Sequence, residues 1–289
     1  MSKRLFHLRD IGHAGIWRLL RSAYSQTAPE KAHKGMKGAC VPLVFTEHAP
    51  LDRLALTLSI RDMGGGEVYF GPGEWPGAAQ SFVFCRDGLV CAVNGLALSA
   101  LDALDASSGG CALLNCGGPD AHPCRLLADL ALMRERQPEL DTVRIAWVGG
   151  ANGLAHSLIE AAMYIPFELF MALPEWGEPS RELLSLAFSA GAKIFLTRDI
   201  HMAVDGAHYV YAGSGPQAAE DGALRAGMPI DGAAMKAARP EARLLLGQEA
   251  GFRVRDEVLA AHADWERERF AVRVKVQRLI WNWLLREKD

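Results

Sequence analysis

No stretch of this sequence is long and apolar enough to suggest a membrane span. The most apolar one, Ser157 to Pro174, is interrupted by Glu160 and Glu168. Cysteine is sparse, with 6 in 289 residues, too few for a small disulfide-stapled scaffold. Charge of one sign is not in excess: 31 basic against 34 acidic residues leave a net charge of −3. No global field is therefore present to gather nucleic acid or an acidic membrane surface. The N-terminal MSKRLFHLRD carries basic residues but no apolar segment after them, so it does not read as a secretory signal. Internal repeats and low-complexity segments are lacking. GGAN at 149–152 follows a strand-like run but lacks the G-x-G-x-x-G spacing and a ribose-binding acid about twenty residues on, which excludes a nicotinamide turn. Cys111, Cys116, His122 and Cys124 do not have the spacing of a standard zinc site. The expectations are a soluble cytoplasmic protein with no cofactor or metal and no nucleic-acid or membrane partner.

What is present is ordinary globular composition, 50% hydrophobic and 22% charged, in a chain long enough for two domains. Helical and strand-like runs alternate, which predicts α/β architecture with parallel sheets. Strands are expected at 40–45, 68–70, 89–93, 111–115, 143–148, 166–174, 193–197 and 208–213. Helices are expected at 10–26 (Asp10 as N-cap), 50–63 (Pro50 in the first turn), 97–105, 123–136, 154–164 and 179–190. The Gly/Ala-rich 214–238 reads as loop with irregular helix. Residues 265–286 read as one long helix with Phe270, Val274, Trp281 and Leu284 on its apolar face. Two βα series with a break near Gln137 and Pro138 imply domains at 1–137 and 138–264, followed by a C-terminal helix at 265–289.

Three segments then carry a family resemblance. KGACVPLVF leading through a helix to MGGGEVYFGPGEW is similar to a strand–anion loop–helix–strand unit. ALLNCGGPDAHPCRLLADLALMRER (112–136) contains a His-Pro-Cys motif followed by a Leu-Ala-Asp helix. VRIAWVGGANGLAHSLIEAA (143–162) is similar to a strand–turn–helix domain opening. In this combination, over nearly the whole chain, the sequence resembles the aspartate/ornithine carbamoyltransferases, the ornithine branch most. The resemblance implies two Rossmann-like three-layer domains, with the C-terminal helix returning to the first. It also implies a homotrimer with active sites at subunit interfaces. The implied reaction is carbamoyl transfer from carbamoyl phosphate to an amino-acid amine.

That chemistry requires a grip on a phosphate dianion, polarisation of the carbamoyl oxygen, and an aimed neutral amine. The family grips phosphate with Ser-Thr-Arg-Thr-Arg at a helix N-terminus. Here the matching residues are Ala49, Pro50, Leu51, Asp52 and Arg53. The hydroxyls and first arginine are gone, Pro50 lacks an N–H, and Asp52 repels phosphate. The arginine ending the next strand is Asn94, the motif glutamine is Arg125, and the late His-Cys-Leu-Pro falls on Leu244 to Gly247. The amine-orienting aspartate aligns near Gly213, and the Ser-Met-Gly loop becomes SGPQ (214–217). By resemblance, the retained set is His122 as carbonyl polariser, with Arg53, Asn152 and Arg273 as substrate contacts. Arg125 supplies new positive charge. Two arginines and the hydroxyl donors together represent ~5 kcal/mol of donor binding, more than three decades in affinity.

Each retained residue also has a structural reading. His122 can serve a His-Pro turn, Asn152 a turn after a strand, Arg53 a salt bridge and Arg125 a solvated charge. Trp75 or Leu51 filling the pocket would favour a binding protein, and an open polar pocket an enzyme. Two functions stay open. One is a transferase acting on an amino-acid amine, with carbamoyl phosphate or another acyl donor. The other is a non-catalytic amino-acid-binding or regulatory homologue.

Overall fold

The structure, a computed structural model, describes residues 3–24, 35–74, 90–213, 228–247 and 254–285. Trp75, Cys85 and the SGPQ segment lie outside them. The described residues group into two compact units. The first comprises those up to Glu135 together with those from Arg269 on, and the second spans Arg136–Glu268.

The first unit is built on β1 (Arg4–Leu5), β2 (Cys40–Phe45), β3 (Gly66–Phe70), β4 (Val90–Asn94) and β5 (Ala112–Gly117). They form one parallel sheet in the order β1-β5-β4-β2-β3. Central strands buried on both faces read as continuous apolar runs, as CVPLVF and VCAVN do. Pro42 is tolerated within β2 because pairing with β4 begins only at Leu43. The helices are α1 (Gly12–Ser22), α2 (Pro50–Asp62), α3 (Leu98–Ser107), α4 (Pro123–Arg136) and α10 (Ala263–Leu285) from Arg269 on.

The second unit carries β6 (Arg144–Val148), β7 (Glu168–Ala172), β8 (Lys193–Thr197), β9 (Tyr209–Ala212) and β10 (Arg243–Leu246). They too form a parallel sheet, ordered β10-β9-β6-β7-β8. Its helices are α5 (Gly153–Ala161), α6 (Arg181–Ser189), α7 (Ile200–Val204), α8 (Gly232–Ala237) and α9 (Asp256–Ala261). A core of small and branched residues, Ala146, Val148, Ala203, Val204, Val210, Ile230 and Leu244 among them, lies on one face. Two parallel sheets with flanking helices are the α/β architecture expected from the sequence.

Several local expectations need correction. Asp10 does not cap α1. Its Oδ2 accepts from the backbone N–H groups of Phe6 (2.7 Å) and His7 (3.0 Å), closing the preceding turn, while Ile11 occupies the α1 N-cap. The buried stripe of α10 runs through Trp265, Arg269, Arg273, Val276, Gln277, Ile280, Trp281 and Leu284, with Phe270 and Val274 only half-buried. The stripe contains charge, so an apolar periodicity misplaces it. α7, α9 and β10 are too short for periodicity to reveal. No helix among the described residues is long and apolar enough to cross a membrane.

Candidate functional site

In an open parallel sheet, a crevice forms beyond the carboxyl ends of the strands where the strand order reverses. In the first unit that point lies between β2 and β4. β2 delivers the chain through Thr46–Ala49 into α2, and β4 ends at Asn94, level with Phe45 and Gly117. Pro50 sits at the first position of α2, with its missing N–H among groups that have no intrahelical partner, and Ala49 offers no capping side chain. Leu51, two residues after the cap, is 57% exposed and does not fill the crevice.

Asp52 does turn inward. Only 4% of it is exposed, and its Oδ1 forms an ion pair with Nη2 of Arg273, itself 9% exposed, from α10. Burial draws the Arg273 pKa down to about 10, which leaves the guanidinium charged at neutral pH. A carboxylate in the first turn of a helix is favoured by the helix dipole. Asp52 is thereby the built-in anion of this helix N-terminus.

His122 precedes Pro123 at the start of α4 and is 4% exposed. Its ring lies over Gly117, where a Cβ would come within 2.6 Å of Nε2 and where φ is +146°. Glycine at 117 is what lets the imidazole lie against the end of β5. Asn115 holds the intervening turn: its Nδ2 donates to the carbonyls of Phe6 and Ala121, and its Oδ1 accepts from Gly117 N–H. Burial, then the Arg125 charge, push the His122 pKa down to about 3, so the imidazole is neutral. Its Nε2 is 3.7 Å from Asp52 Oδ1. With a neutral ring at that separation the contact is not an ion pair.

The other expected residues scatter. Arg125 is buried on α4 at 7% exposure, near enough to bias His122. Arg53 is exposed and lies over the Tyr69 ring at 3.7 Å, a cation–π contact against β3. Asn152 belongs to the second unit, at the corresponding switch point between β6 and β9. It caps α5, its Oδ1 accepting from Leu154 N–H at 3.0 Å and Ala155 N–H at 3.2 Å. Gly213, where the family's amine-orienting aspartate would align, packs against the Trp147 indole: a Cβ there would meet Nε1 at 2.6 Å.

Two features escaped the sequence reading. Asp129, of the Leu-Ala-Asp segment, makes a buried bidentate pair with Arg269 at 2.7 Å for both bonds. The Leu-Ala-Asp motif was the available signal. Asn94 is fully buried at the carboxyl end of β4, and neither atom of its carboxamide has a hydrogen-bond partner among the described residues.

Comparison with known proteins identifies the family and the fold. Over 99% of its length the chain is 37% identical to an ornithine carbamoyltransferase of Nitratidesulfovibrio vulgaris, covering all of that protein. It is 32% identical to another from Oleidesulfovibrio alaskensis, with 99% of both covered. The chain belongs to the aspartate/ornithine carbamoyltransferase family. Scanning against family models gave no match. Among solved carbamoyltransferases, the anabolic ornithine enzyme of Campylobacter jejuni superposes with a TM-score of 0.84 at 22% identity, covering 98% of this chain and 99% of that one. Ornithine transcarbamoylase of Giardia lamblia gives 0.85 at 14% identity, with full coverage of both. The chain therefore has the carbamoyltransferase fold.

Proposed function

We propose that this chain is a diverged ornithine-carbamoyltransferase-like protein. It acts on an amino-acid amine as a carbamoyl- or related acyl-transferase and does not hold carbamoyl phosphate in the family's manner. The observation that carries this reading is the Asp52–Arg273 pair at the N-terminus of α2. A phosphate dianion there would meet a buried carboxylate, one fewer N–H at Pro50, and an arginine already engaged. In the transfer, the amine nitrogen bonds to the acyl carbon, the bond to the donor's leaving group breaks, and that group departs with the electron pair. The nitrogen then loses its proton. A neutral His122 suits hydrogen bonding to the acyl oxygen as negative charge gathers on it. Arg125 supplies positive charge, and Asn152 contacts the amino-acid ligand. The assembly is a homotrimer, the setting cytoplasmic, and no cofactor is used.

A second reading, a non-catalytic amino-acid-binding or regulatory homologue, is favoured by one specific feature. Both Asn152 and Arg273 have structural employment, as a helix cap and as the partner of Asp52. Calorimetry with carbamoyl phosphate, with and without ornithine, and an assay for citrulline formation test both. The expected result is no binding up to millimolar donor and no turnover. Micromolar binding, or turnover in the ordinary range of ~1–1000 per second, overturns the reading. Transfer from another acyl donor separates the first function from the second.

A further inference from the structure

The second sheet ends on one side at β8, and this edge is built differently from the other sheet edges. β1 is only two residues long. β3 carries Glu67, paired with Arg61 at 3.1 Å. At β10, Leu244 N–H donates to His262 Nδ1 at 3.5 Å and Leu246 N–H to Glu266 Oε1 at 3.4 Å, so side chains cover that edge. Short length, charge and cover are the ordinary protections of an edge strand. β8 pairs only with β7 among the described strands, and residues 194–197 hold no charge, proline or glycine.

The register fixes which backbone groups face outward. Thr197 C=O accepts from Leu173 N–H at 3.0 Å, so Phe195 and Thr197 bond toward β7. The alternate residues, Ile194 and Leu196, turn to the open side. Ile194 N–H reaches Ala192 C=O at 3.2 Å, which leaves Leu196 N–H as the outward donor and the Ile194 and Leu196 carbonyls as outward acceptors.

Apolar side chains border both faces of this edge. Phe195 and Leu196 point to opposite faces and are each 47% exposed. Leu186 and Phe188, late in α6, and Met202, on α7, are 49%, 50% and 58% exposed. α6 leads directly into β8 and α7 follows it. Phe195 is the last ring of a stack: Arg144 lies over Phe170 at 3.6 Å, and Phe170 stacks on Phe195 at 4.4 Å. Five half-exposed side chains of this size offer on the order of 100 Å² each. Two copies therefore bring ~1,000 Å² of apolar side chain, and the strand backbones and Lys193 raise that into the ~1,200–2,000 Å² range of specific interfaces.

We propose that β8 is the docking surface for a second copy of this chain, the two strands pairing antiparallel about a two-fold axis at Phe195. The two five-stranded sheets then continue as one. At that register Phe195 meets its own copy in the narrow, non-hydrogen-bonded position, which suits an aromatic pair. Leu196 N–H donates to the C=O of Ile194 of the partner subunit. Lys193 falls diagonal to Asp199 of the partner subunit, both exposed residues, while the two lysines stay about 14 Å apart. With a cation at one end and a carboxylate at the other, the edge is its own complement, as a closed two-fold contact requires.

Sedimentation of the full-length protein at ~10 µM, ten times a ~1 µM dissociation constant, reads the assembly. The edge contact multiplies whatever forms at other surfaces, so the readout is the mass ratio of wild type to variant. Phe195→Lys and Leu196→Lys, both at exposed positions, are each expected to halve the mass at least. Circular dichroism melts show that each variant is folded. A second measurement uses Phe195→Cys in a Cys40→Ser background, since Cys40 is exposed. Oxidised glutathione is expected to link two copies by a disulfide, the pair of thiols being oxidised and the glutathione reduced. Lys193→Cys in the same background, whose copies lie beyond the ~7 Å Cα limit for a disulfide, is expected to stay unlinked, and Cys40→Ser alone is the blank. The proposal is overturned by a wild-type mass equal to that of both lysine variants, the result expected if a different protein covers this edge. It is equally overturned by a Phe195→Cys protein that stays unlinked, or by Lys193→Cys linking as readily.

Discussion

Replacing Asp52 with asparagine keeps the shape of the side chain and removes its charge, so it isolates the role assigned to the Asp52–Arg273 pair. Both partners are buried, at 4% and 9% exposure. Removing one member of a buried pair leaves the other charge uncompensated, at a cost of ~3–5 kcal/mol. For a unit of this size, each kcal/mol is about 2–4 °C in Tm, so the transition of the first unit should fall by about 10 °C. Asp62→Asn is the control. Its pair with Arg278, at 3.1 Å with side chains 28% and 47% exposed, is solvated and should contribute ~1 kcal/mol at most. A second arm adds inorganic phosphate. The wild-type crevice supplies its own anion and should melt at the same temperature with or without it. The variant leaves Arg273 facing a helix N-terminus, so phosphate should recover part of the loss. At ten times its dissociation constant the recovery is about 1.4 kcal/mol, or roughly 3–6 °C. Scanning calorimetry reads both arms. An Asp52→Asn protein melting within ~2 °C of wild type, or equal stabilisation of both proteins by phosphate, refutes the internal-anion argument.

Three further outcomes follow from the same geometry. Because His122 titrates near 3 when folded and near 6.5 when unfolded, the unfolded state binds the proton. Stability from its neutral burial is therefore present above pH ~6.5 and lost at up to ~1.4 kcal/mol per unit as pH falls toward 3. Urea unfolding at pH 7 and pH 5 should show a shallower loss in His122→Gln than in wild type, and parallel profiles would contradict the assignment. Gly117→Ala would force a Cβ to within 2.6 Å of His122 Nε2 at a φ of +146°. It should destabilise the first unit by ~2 kcal/mol or more in the same unfolding assay. Asn152→Ala should cost ~1 kcal/mol through the lost α5 cap, while Asn152→Ser, which can still cap, should cost a few tenths. Equal destabilisation by both would remove the capping role.

Much of the fold was legible in the chain because parallel strands buried on both faces leave unbroken apolar runs. CVPLVF, VCAVN and RIAWV each fall within a residue or two of their expected limits. The four- to six-residue elements α7, α9 and β10 were not legible, since they are shorter than the window over which a period can be seen. The site was legible one residue at a time. Asp52 reads as an unfavourable charge for phosphate and Arg273 as a retained ligand, and both readings follow from the family resemblance. Their pairing joins positions 221 residues apart in the chain, which no spacing argument reaches. Asn94 is similar: the resemblance aligns it with an arginine of the family, and only the fold shows its carboxamide buried without hydrogen-bond partners among the described residues.

On the proposed reading, the pairing also accounts for a buried arginine kept where the family's phosphate-gripping pattern is not matched. A guanidinium held under the N-terminus of a helix brings two positive poles together, and without a counter-ion that arrangement is costly. Deleting Arg273 would be one solution, but it lies in the buried stripe of α10, between Arg269, which is committed to Asp129, and Trp281, whose Nε1–H donates to Ser59 on α2 at 2.9 Å. Supplying a carboxylate from the first turn of α2 leaves that packing intact and satisfies the helix dipole with the same group. On the proposed reading, the carboxylate that disfavours phosphate is then also the one that stabilises the buried guanidinium without it.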